Sequence, residues 1–525
     1  MDLTNEKFQE IFPFPSPRTG QKELITKILS AYESGKKFVV LSAPTGVGKS
    51  CIGLAVANYF GNSYILTSQK SLQQQYYDTL QVPFVLGRKN YQCIQLPDRT
   101  CDIGKCLGKE NKKCNVCPYG TAKDFCLNSP HSGLNYAYFL NLIQSPQKTF
   151  QKKILVCDEA HNLEEELLKI YTPKVDIFTL KNLALGSSSK DLPKPGTDME
   201  LDWLINTLLP KTKKELAFAQ NQMNSYKDGK SESAKKIAKR FVWIRELLCK
   251  LEMINSVAER GEEIVITNTG EEITYRPLKA NGIFNKTLLK EGDKFLFMSA
   301  TIVNPSNFLY DLGIPKEEAE IIECDSPFPI ENHPIYYSPA GSMSYKKKQE
   351  TYPKLVKLVD KILNLYPNDK GIIHTVNYEI AEKIETALKF SKNSKRIIIP
   401  RGQNRQEQID YFTKADFPFV LLSPSLQEGI DLKDDLARFC IICKVPYASL
   451  KDEWVIKRMK DNQNWYTTKT CSSLVQMTGR CVRTETDHAD SYILDSDFEK
   501  LLRNGGGKIL PKWWLLSLKE KYFTN

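Results

Sequence analysis

The sequence predicts an α/β protein with two parallel-sheet lobes, and two observations carry this prediction. Short apolar runs bounded by turn residues recur along the chain, which is typical of strands buried on both faces of a parallel sheet. Helical periodicity follows several of these runs, which gives the alternation of strand and helix found in α/β folds. The predicted strands are Phe38–Leu41, Tyr64–Leu66, Ile154–Cys157, Phe295–Met298, Gly371–Ile373, Arg396–Ile399, Phe419–Leu422 and Phe439–Val445.

The first predicted helix shows the periodicity clearly. Leu24, Ile28 and Tyr32 recur at a spacing that places them on one helix face. The start signal Pro17-Arg18-Thr19-Gly20 precedes them. The whole set of strands fits one lobe before about residue 330 and a second lobe after it.

The composition of the chain excludes several classes of protein. Its 525 residues are 41% apolar and 26% charged, which is ordinary for a globular chain and excludes disordered and fibrous classes. No apolar run approaches the roughly 18–20 residues of a membrane span, and the N-terminus lacks the pattern of a signal peptide. We therefore expect an intracellular protein with no membrane association. The net charge of +11 favours a partner that carries phosphate.

Three segments depart from the alternating pattern. Residues 91–130 are rich in cysteine and show little periodicity, which is typical of a small domain held together by a metal. Residues 187–196 have the composition of a linker. A Lys-rich stretch from about 201 to 260 predicts a helical hairpin that turns near Asp228-Gly229. Its lysines form either a solvated helix surface or a contact with nucleic acid.

A phosphate-binding loop directly follows the first predicted strand. The residues are Ala43-Pro44-Thr45-Gly46-Val47-Gly48-Lys49-Ser50, and a helix is predicted to start at the end of the loop. In such a P-loop the glycines let backbone N–H groups face phosphate, the lysine reaches the β and γ phosphates, and the hydroxyl binds Mg²⁺. The sequence therefore predicts an ATP and Mg²⁺ site.

A pair of carboxylates supports the same site. The strand Ile154–Cys157 ends in Asp158-Glu159-Ala160-His161. Carboxylates at the carboxyl end of a strand beside a P-loop are what hydrolysis of a Mg-nucleotide requires. Asp158 is predicted to hold Mg²⁺ through water and Glu159 to activate the attacking water. His161 is predicted to transmit the nucleotide state to neighbouring loops.

Five further motifs appear in an order that resembles superfamily 2 helicases of the DEAH-box, XPD/DinG-like type, with the iron–sulfur branch the most similar. These are a Q-type motif at Arg18-Thr-Gly-Gln21, motif Ia at Thr67-Ser-Gln-Lys70, motif III at Ser299-Ala300-Thr301, motif V at Gln427-Glu428-Gly429-Ile-Asp431 and motif VI at Gln476-Met-Thr-Gly479-Arg480-Cys-Val-Arg483. The spacing of Arg480 and Arg483 would place both on one helix face as donors to a γ-phosphate held by the other lobe.

The resemblance implies a domain organisation. A RecA-like first lobe that binds ATP would comprise residues 1–90, 131–171 and 282–330, and a RecA-like second lobe would comprise 331–525. An iron–sulfur domain at 91–130 and a helical arch at 172–281 would be inserted in the first lobe and form a passage for single-stranded DNA. The residues implied at the nucleotide, beyond the P-loop and the arginines, are Arg18, Gln21, His161, Glu428, Gly429, Asp431 and Gln476. The candidate contacts with DNA in this passage are Tyr91, Tyr119, Tyr136, Arg88, Lys89 and Lys105.

The cysteine cluster offers more thiols than a metal centre needs. Six of the 14 cysteines lie between residues 93 and 126. Four thiolates bind either a [4Fe–4S] cluster or Zn²⁺, and their spacing does not choose between the two. The resemblance favours iron–sulfur. The predicted ligands are Cys93, Cys106, Cys114 and Cys117, with Cys101 in reserve and Cys126 expected to be a buried thiol.

The leading functional hypothesis is therefore an ATP-dependent helicase that acts on single-stranded and forked DNA. Movement from 5′ to 3′ is implied by the resemblance. Two alternatives stay open: a zinc-containing translocase that does not separate strands, and a single-strand binding module whose ATPase has decayed. Protein partners and oligomeric state are not predicted by the sequence.

Overall fold

The computed structural model of the protein describes residues 3–104, 116–144, 151–196, 199–225, 231–424, 432, 434–479, 481–482, 486–521 and 523. The strands in these ranges are β1 Phe38–Ser42, β2 Ser63–Thr67, β3 His131–Asn135, β4 Lys152–Asp158, β5 Lys174–Asp176, β6 Ile264–Asn268, β7 Glu272–Pro277, β8 Gly292–Ser299, β9 Ala319–Glu323, β10 Ile335–Gly341, β11 Gly371–His374, β12 Ile397–Ile398, β13 Val420–Ser423, β14 Phe439–Ile442, β15 Asp490–Asp495 and β16 Leu518–Glu520.

The helices alternate with these strands through most of the chain. They are α1 Asn5–Ile11, α2 Gln21–Glu33, α3 Lys49–Phe60, α4 Lys70–Leu80, α5 Pro118–Asn128, α6 Tyr136–Ile143, α7 Leu163–Tyr171, α8 Ile177–Asn182, α9 Met199–Trp203, α10 Leu209–Ser225, α11 Glu232–Glu259, α12 Asn281–Lys286, α13 Pro305–Leu312, α14 Lys348–Leu365, α15 Tyr378–Leu388, α16 Arg405–Lys414, α17 Glu453–Asp461, α18 Trp465–Thr478, α19 Asp497–Leu501, α20 Gly507–Ile509 and α21 Lys512–Leu516.

The first lobe is built on a six-stranded sheet with the order β3-β2-β4-β8-β1-β9. Every pairing in it is parallel. Successive residues of the central strands enter two different cores: Val40 and Leu155 pack on one face, and Val39 and Val156 on the other. A sheet covered on both faces needs apolar residues at every position, which is why its strands are continuous apolar runs in the sequence.

The second lobe has a seven-stranded sheet with the order β12-β13-β11-β14-β15-β10-β16. It is also parallel throughout. Ile372 and Ile442 enter one core, whereas Ile373 and Ile441 enter the other. The predicted fold class, an α/β protein with two parallel-sheet lobes, is therefore confirmed.

The segment between β4 and β8 forms a layer of its own. The predicted hairpin is present as α10 and α11, and its turn near Asp228-Gly229 lies outside the described residues. The sequence predicts a helical arch here, and the segment is not entirely helical: β5, β7 and β6 form a small antiparallel sheet beside the helices. Residues Ile273 and Tyr275 of β7 share a buried cluster with Ile244 and Leu251 of α11.

The cysteine-rich segment is more regular than its sequence suggests. Helix α5 occupies its second half, with Cys117 as the residue before the helix and Pro118 in the first turn, a position that proline favours. Cys126 is fully buried and its thiol contacts the carbonyl oxygens of Pro83 and Gly133. The prediction that Cys126 is a buried thiol is confirmed.

Candidate nucleotide site and inter-lobe interface

The P-loop connects β1 to α3 with the expected backbone geometry. Gly46 has a φ of 86° and Gly48 a φ of 79°, a region that residues with a side chain rarely adopt. A β-carbon on Gly48 would lie 2.3 Å from Nε2 of Gln21, so a larger residue there would also displace the end of the Gln21 side chain. The Lys49 ammonium lies inside the loop and donates to the main-chain oxygens of Ala43 and Pro44, each at 3.1 Å.

The Q-type motif donates hydrogen bonds to the backbone of the P-loop. The Arg18 N–H donates to Gln21 Oε1 at 2.8 Å, and Gln21 Nε2 donates to the carbonyl of Val47 at 2.9 Å. The Arg18 guanidinium donates to the carbonyl of Gly46 at 2.9 Å. Both predicted residues therefore contact the backbone of the loop, Arg18 at the glycine-rich turn and Gln21 next to it.

The carboxyl end of β4 brings Asp158 opposite Ser50. The Ser50 hydroxyl donates to Asp158 Oδ2 at 3.4 Å, and the N–H of Glu159 donates to Oδ1 at 2.9 Å. Burial and the charge of Glu159 raise the pKa of Asp158, while Lys49 and the hydroxyl of Tyr76 oppose that rise. The oxygens of Ser50 and Asp158 form the kind of hard donor set that suits Mg²⁺.

Two buried tyrosines donate hydrogen bonds to Asp158, and the sequence predicts neither of them at the nucleotide site. The Tyr76 hydroxyl donates to Asp158 Oδ2 at 2.8 Å. The Tyr136 hydroxyl donates to the main-chain oxygen of Asp158 at 3.0 Å. Tyr136 is 1% exposed, so its expected role as a DNA contact is wrong. Tyr119 is also buried and bonds Tyr138 through its hydroxyl at 2.8 Å, so that role is wrong for Tyr119 too.

Glu159 and His161 connect the carboxylates to motif III. Glu159 has a φ of 50°, a strained conformation for a residue with a side chain. Its Oε2 lies 3.3 Å from the Ser299 hydroxyl and 3.2 Å from Nδ1 of His161. His161 Nδ1 and Ser299 Oγ are 2.7 Å apart, and Ser299 in turn contacts the Thr301 hydroxyl at 3.1 Å. One hydrogen-bonded group therefore contains the acidic pair and the end of β8.

The second lobe contacts this group through helix α18. Gln476 on α18 places Nε2 at 3.3 Å from Nε2 of His161. The Ser472 hydroxyl, one turn earlier on the same helix, donates to the carbonyl of Thr301 at 2.9 Å. The structure thus brings Asp158, Glu159 and His161 together with motif III and with Gln476 of motif VI. The remaining predicted residues of the second lobe, Glu428, Gly429, Asp431, Arg480 and Arg483, lie outside the described residues.

A buried arginine joins the lobes beside the site. The Arg458 side chain is fully buried, and its guanidinium lies 2.6 Å from Glu164, 2.9 Å from Asp311 and 3.2 Å from Asp461. Glu164 and Asp311 belong to the first lobe, whereas Arg458 lies on α17 of the second. The sequence does not predict this cluster, because Glu164, Asp311 and Arg458 lie more than one hundred residues apart in the chain and match no motif.

Aromatic rings complete the same interface. Trp454 and Trp465 flank the Arg458 guanidinium, with ring centres 5.8 Å and 5.3 Å away. The Trp454 indole donates to the carbonyl of Pro277 at 2.9 Å, and the Arg276 guanidinium stacks 3.5 Å above the ring. Both tryptophans and Val455 belong to a core cluster whose other buried members come from the first lobe and its inserted segments, so α17 packs against that part of the chain.

The described part of the cysteine segment places two thiols in contact. Cys101 Sγ lies 3.8 Å from Cys117 Sγ, and burial and this neighbour raise the pKa of Cys101 to about 12. The Cys93 thiol is buried near Gly104, where a β-carbon would meet its Sγ at 3.1 Å. Cys106, Cys114 and Lys105 lie outside the described residues. Among the residues that are described, no three His, Cys, Asp or Glu side chains form a metal-binding group.

Comparison with known proteins agrees with this architecture. Residues 14–183 match the family described as the res subunit of type III restriction enzymes, and residues 360–515 match the helicase C-terminal domain family. A probable ATP-dependent helicase of Methanocaldococcus jannaschii is 23% identical, with 93% of each chain covered. The ATP-dependent DNA helicase YoaA of Haemophilus influenzae is 21% identical over 97% of this chain and 95% of its own.

Solved structures show the same fold. A structure of Xpd4 from S. tokodaii is 17% identical and superposes with a TM-score of 0.61, covering 96% of this chain and all of that one. A structure titled XPD_APO, 15% identical, has the same TM-score and covers 95% of this chain and all of its own. No helix in the described ranges is long and apolar enough to cross a membrane.

Two parallel-sheet lobes that meet at a P-loop and a DEAH sequence define the RecA-like, two-lobed class of nucleotide-binding proteins. A helicase C-terminal family matches the second lobe, the family of the res subunit of type III restriction enzymes matches the first, and two relatives that are themselves called helicases align along nearly the whole chain. The chain is therefore similar to XPD/DinG-like superfamily 2 helicases.

Proposed function

We propose that the protein is an ATP-dependent DNA helicase that moves 5′ to 3′ on single-stranded DNA and unwinds forked duplexes. The observation that carries the proposal is the contact between His161 and Gln476, because it joins the carboxylates of the nucleotide site directly to the second lobe. A change at the γ-phosphate can therefore alter how the lobes meet, which is the elementary step of a motor with its nucleotide between two lobes. The family and the names of the relatives support DNA as the substrate.

The residues at the site have the chemistry that hydrolysis needs. Lys49 would bind the β and γ phosphates of ATP, and Ser50 with Asp158 would hold Mg²⁺, which neutralises charge on the phosphates when bound. Glu159 is placed to orient and deprotonate the attacking water, because its carboxylate contacts both His161 and Ser299 and is not fully enclosed. Arg480 and Arg483 are proposed to reach the γ-phosphate from the second lobe.

An unwinding assay tests this function. Protein purified without oxygen should separate a forked duplex with a 5′ tail only when ATP and Mg²⁺ are present. The variant Lys49→Ala should lose activity, whereas Lys27→Ala, which removes an exposed lysine paired with Glu23, should behave like the native protein. Unwinding only from a 3′ tail would refute the direction, and ATP turnover by Lys49→Ala equal to that of the native chain would refute the assignment of the site.

The cysteine segment is proposed to hold a [4Fe–4S] cluster. Its donors are thiols, which bind iron–sulfur clusters as well as zinc, and Cys101 and Cys117 already lie together. Cys93, Cys106, Cys114 and Cys117 are the proposed ligands, with Cys101 as the alternative. Such a cluster would cross-link a segment that is otherwise short of apolar core.

One observation favours the zinc-containing translocase as a second candidate. The 3.8 Å between Cys101 Sγ and Cys117 Sγ is close to the edge of a tetrahedron with Zn–S bonds of about 2.3 Å. In an iron–sulfur cube each thiolate binds a different iron, which separates the ligand sulfurs further. The iron and zinc content per chain, measured on oxygen-free protein, distinguishes the two candidates. About four irons per chain supports the cluster, and about one zinc per chain supports the alternative.

A further inference from the structure

Tyr76 makes a side-chain contact with the proposed magnesium carboxylate from outside the known motifs. It lies on α4, the helix that follows β2, and its side chain is 1% exposed. Its ring packs in the core beneath the P-loop helix, in the same apolar cluster as Ile52 and Ile65. Its hydroxyl donates to Asp158 Oδ2 at 2.8 Å, which is the shortest of the described contacts to that carboxylate.

The contacts of Asp158 show what this hydroxyl does. The N–H of Glu159 holds Oδ1 at 2.9 Å, and Tyr76 holds Oδ2. Ser50 also reaches Oδ2, but at 3.4 Å, and its hydroxyl is needed for Mg²⁺ in the proposed function. Two donors on different oxygens fix the plane of a carboxylate, whereas one donor leaves it free to rotate. Once Ser50 turned to the metal, an Asp158 carboxylate without the Tyr76 hydroxyl would keep, among the described residues, only the hydrogen bond from the N–H of Glu159.

We propose that Tyr76 is a positioning residue for Mg²⁺: its hydroxyl orients the Asp158 carboxylate toward the metal that accompanies ATP. The inference rests on the proposed function in that Asp158 is taken as the Mg²⁺ carboxylate. Groups that hydrogen-bond a metal-holding side chain orient it and change metal affinity, often by a factor of about 10 to 100. A fully buried tyrosine with a rigid ring suits this role, because its hydroxyl has little freedom to move.

The variant Tyr76→Phe removes the donor and keeps the ring, and Tyr32→Phe is its matched control. Tyr32 is also buried in the first lobe, and its hydroxyl donates to the carbonyl of Phe295 at 2.8 Å, away from the nucleotide site. Each variant therefore loses one buried hydrogen bond and no ring. Should Tyr76→Phe fold poorly, Tyr76→4-methylphenylalanine fills the volume of the hydroxyl without donating.

Two measurements test the role, and one of them does not need turnover. We expect the Mg²⁺ concentration for half-maximal ATPase to rise about tenfold in Tyr76→Phe and to stay unchanged in Tyr32→Phe. Thermal stabilisation by ADP should weaken in Tyr76→Phe only when Mg²⁺ is present, and be native with ADP in EDTA. A native Mg²⁺ dependence in the folded Tyr76 variants would overturn the inference.

The two readouts separate this inference from the proposed function. If the native chain hydrolyses no ATP, the proposed function fails, and the Mg²⁺-dependent stabilisation by ADP still reports on Tyr76. If ADP binding weakens equally with and without Mg²⁺, Tyr76 supports the nucleotide pocket in general, and its role as a positioning residue for the metal is refuted.

Discussion

The guanidinium of Arg458 lies 2.6 Å from the carboxylate of Glu164, and this contact joins a helix of the second lobe to the helix that follows the DEAH sequence. The same guanidinium faces Asp311 and Asp461. A charge that is completely removed from water must be compensated where it lies. The lobes are therefore held at a fixed point next to the site, and relative motion has to be accommodated elsewhere in the connecting chain.

Replacing Arg458 should destabilise the protein strongly. Arg458→Met fills a similar volume but leaves Glu164 and Asp311 without this buried cation, while Asp461 keeps its pair with Lys279. Removing one partner of a buried ionic cluster typically costs about 3–5 kcal/mol. Urea unfolding followed by tryptophan fluorescence measures the effect, and both tryptophans beside Arg458 report on it. Lys457→Met on the same helix should change stability by about 1 kcal/mol or less, because its pairs with Glu263 and Glu453 are exposed. Equal losses in both variants would contradict the compensating role of Arg458.

The acidic cluster should make stability depend on pH. The Arg458 guanidinium faces three carboxylates, of which Asp461 also pairs with Lys279. Burial together with the charge of Glu164 raises the pKa of Asp311 to about 7. The raised pKa means that the folded chain keeps a proton which the unfolded chain releases at lower pH. This stabilising contribution is present in full below about pH 4 and is lost as the pH rises through about 7.

Asp311→Asn tests this dependence because it mimics the protonated acid at every pH. Free energies of unfolding between pH 4 and 8 should fall less with rising pH in Asp311→Asn than in the native chain. Asp416→Asn changes an exposed carboxylate of the second lobe and should keep the native slope. An unchanged slope in Asp311→Asn would show that Asp311 is ionised throughout.

The contact between His161 and Gln476 should transmit the effect of DNA to the nucleotide site. Gln476→Ala removes the second-lobe side of the contact, and we expect DNA-stimulated ATPase to fall about tenfold, the loss of one positioned hydrogen bond of about 1.4 kcal/mol. Nucleotide binding should persist, because Lys49 and Ser50 belong to the other lobe. Ser473→Ala removes a hydroxyl that bonds only its own helix, at Lys469, and should leave stimulation intact. Unaltered stimulation in Gln476→Ala would exclude this route.

The sequence predicted those parts of the fold that depend on a pattern of neighbouring residues. Continuous apolar runs identified β1, β2, β4, β8 and β11, because both faces of these strands are buried. Strand β3 was not predicted, since His131 and Asn135 make it polar at both ends. Strand β9 at the sheet edge was not predicted either, since it contains the exposed residues Glu320 and Glu323. Sequence motifs located Lys49 and Asp158 because each motif is a run of neighbouring residues.

Contacts between distant segments could not be predicted in this way. Tyr76 and Arg458 act through residues 82 and 294 positions away in the chain, Asp158 and Glu164. Neither has a spacing that distinguishes it from an ordinary residue on an amphipathic helix. The role of each side chain is visible only in the folded structure, where α4 brings Tyr76 to Asp158 at the end of β4 and α17 brings Arg458 to Glu164 on α7.

Loss of single cysteines should identify the metal ligands. Cys101→Ser and Cys117→Ser remove the two thiols that lie 3.8 Å apart. Cys126→Ser removes a buried thiol that contacts the carbonyl oxygens of Pro83 and Gly133. Because Cys117 is a proposed ligand and Cys101 the alternative, we expect Cys117→Ser to lose most of its bound metal. Cys101→Ser should do the same only if the alternative set is correct, while Cys126→Ser should retain the native content. Elemental analysis and visible absorption of oxygen-free protein measure the bound metal in each variant. Loss of metal in Cys126→Ser alone would overturn the assignment of the segment.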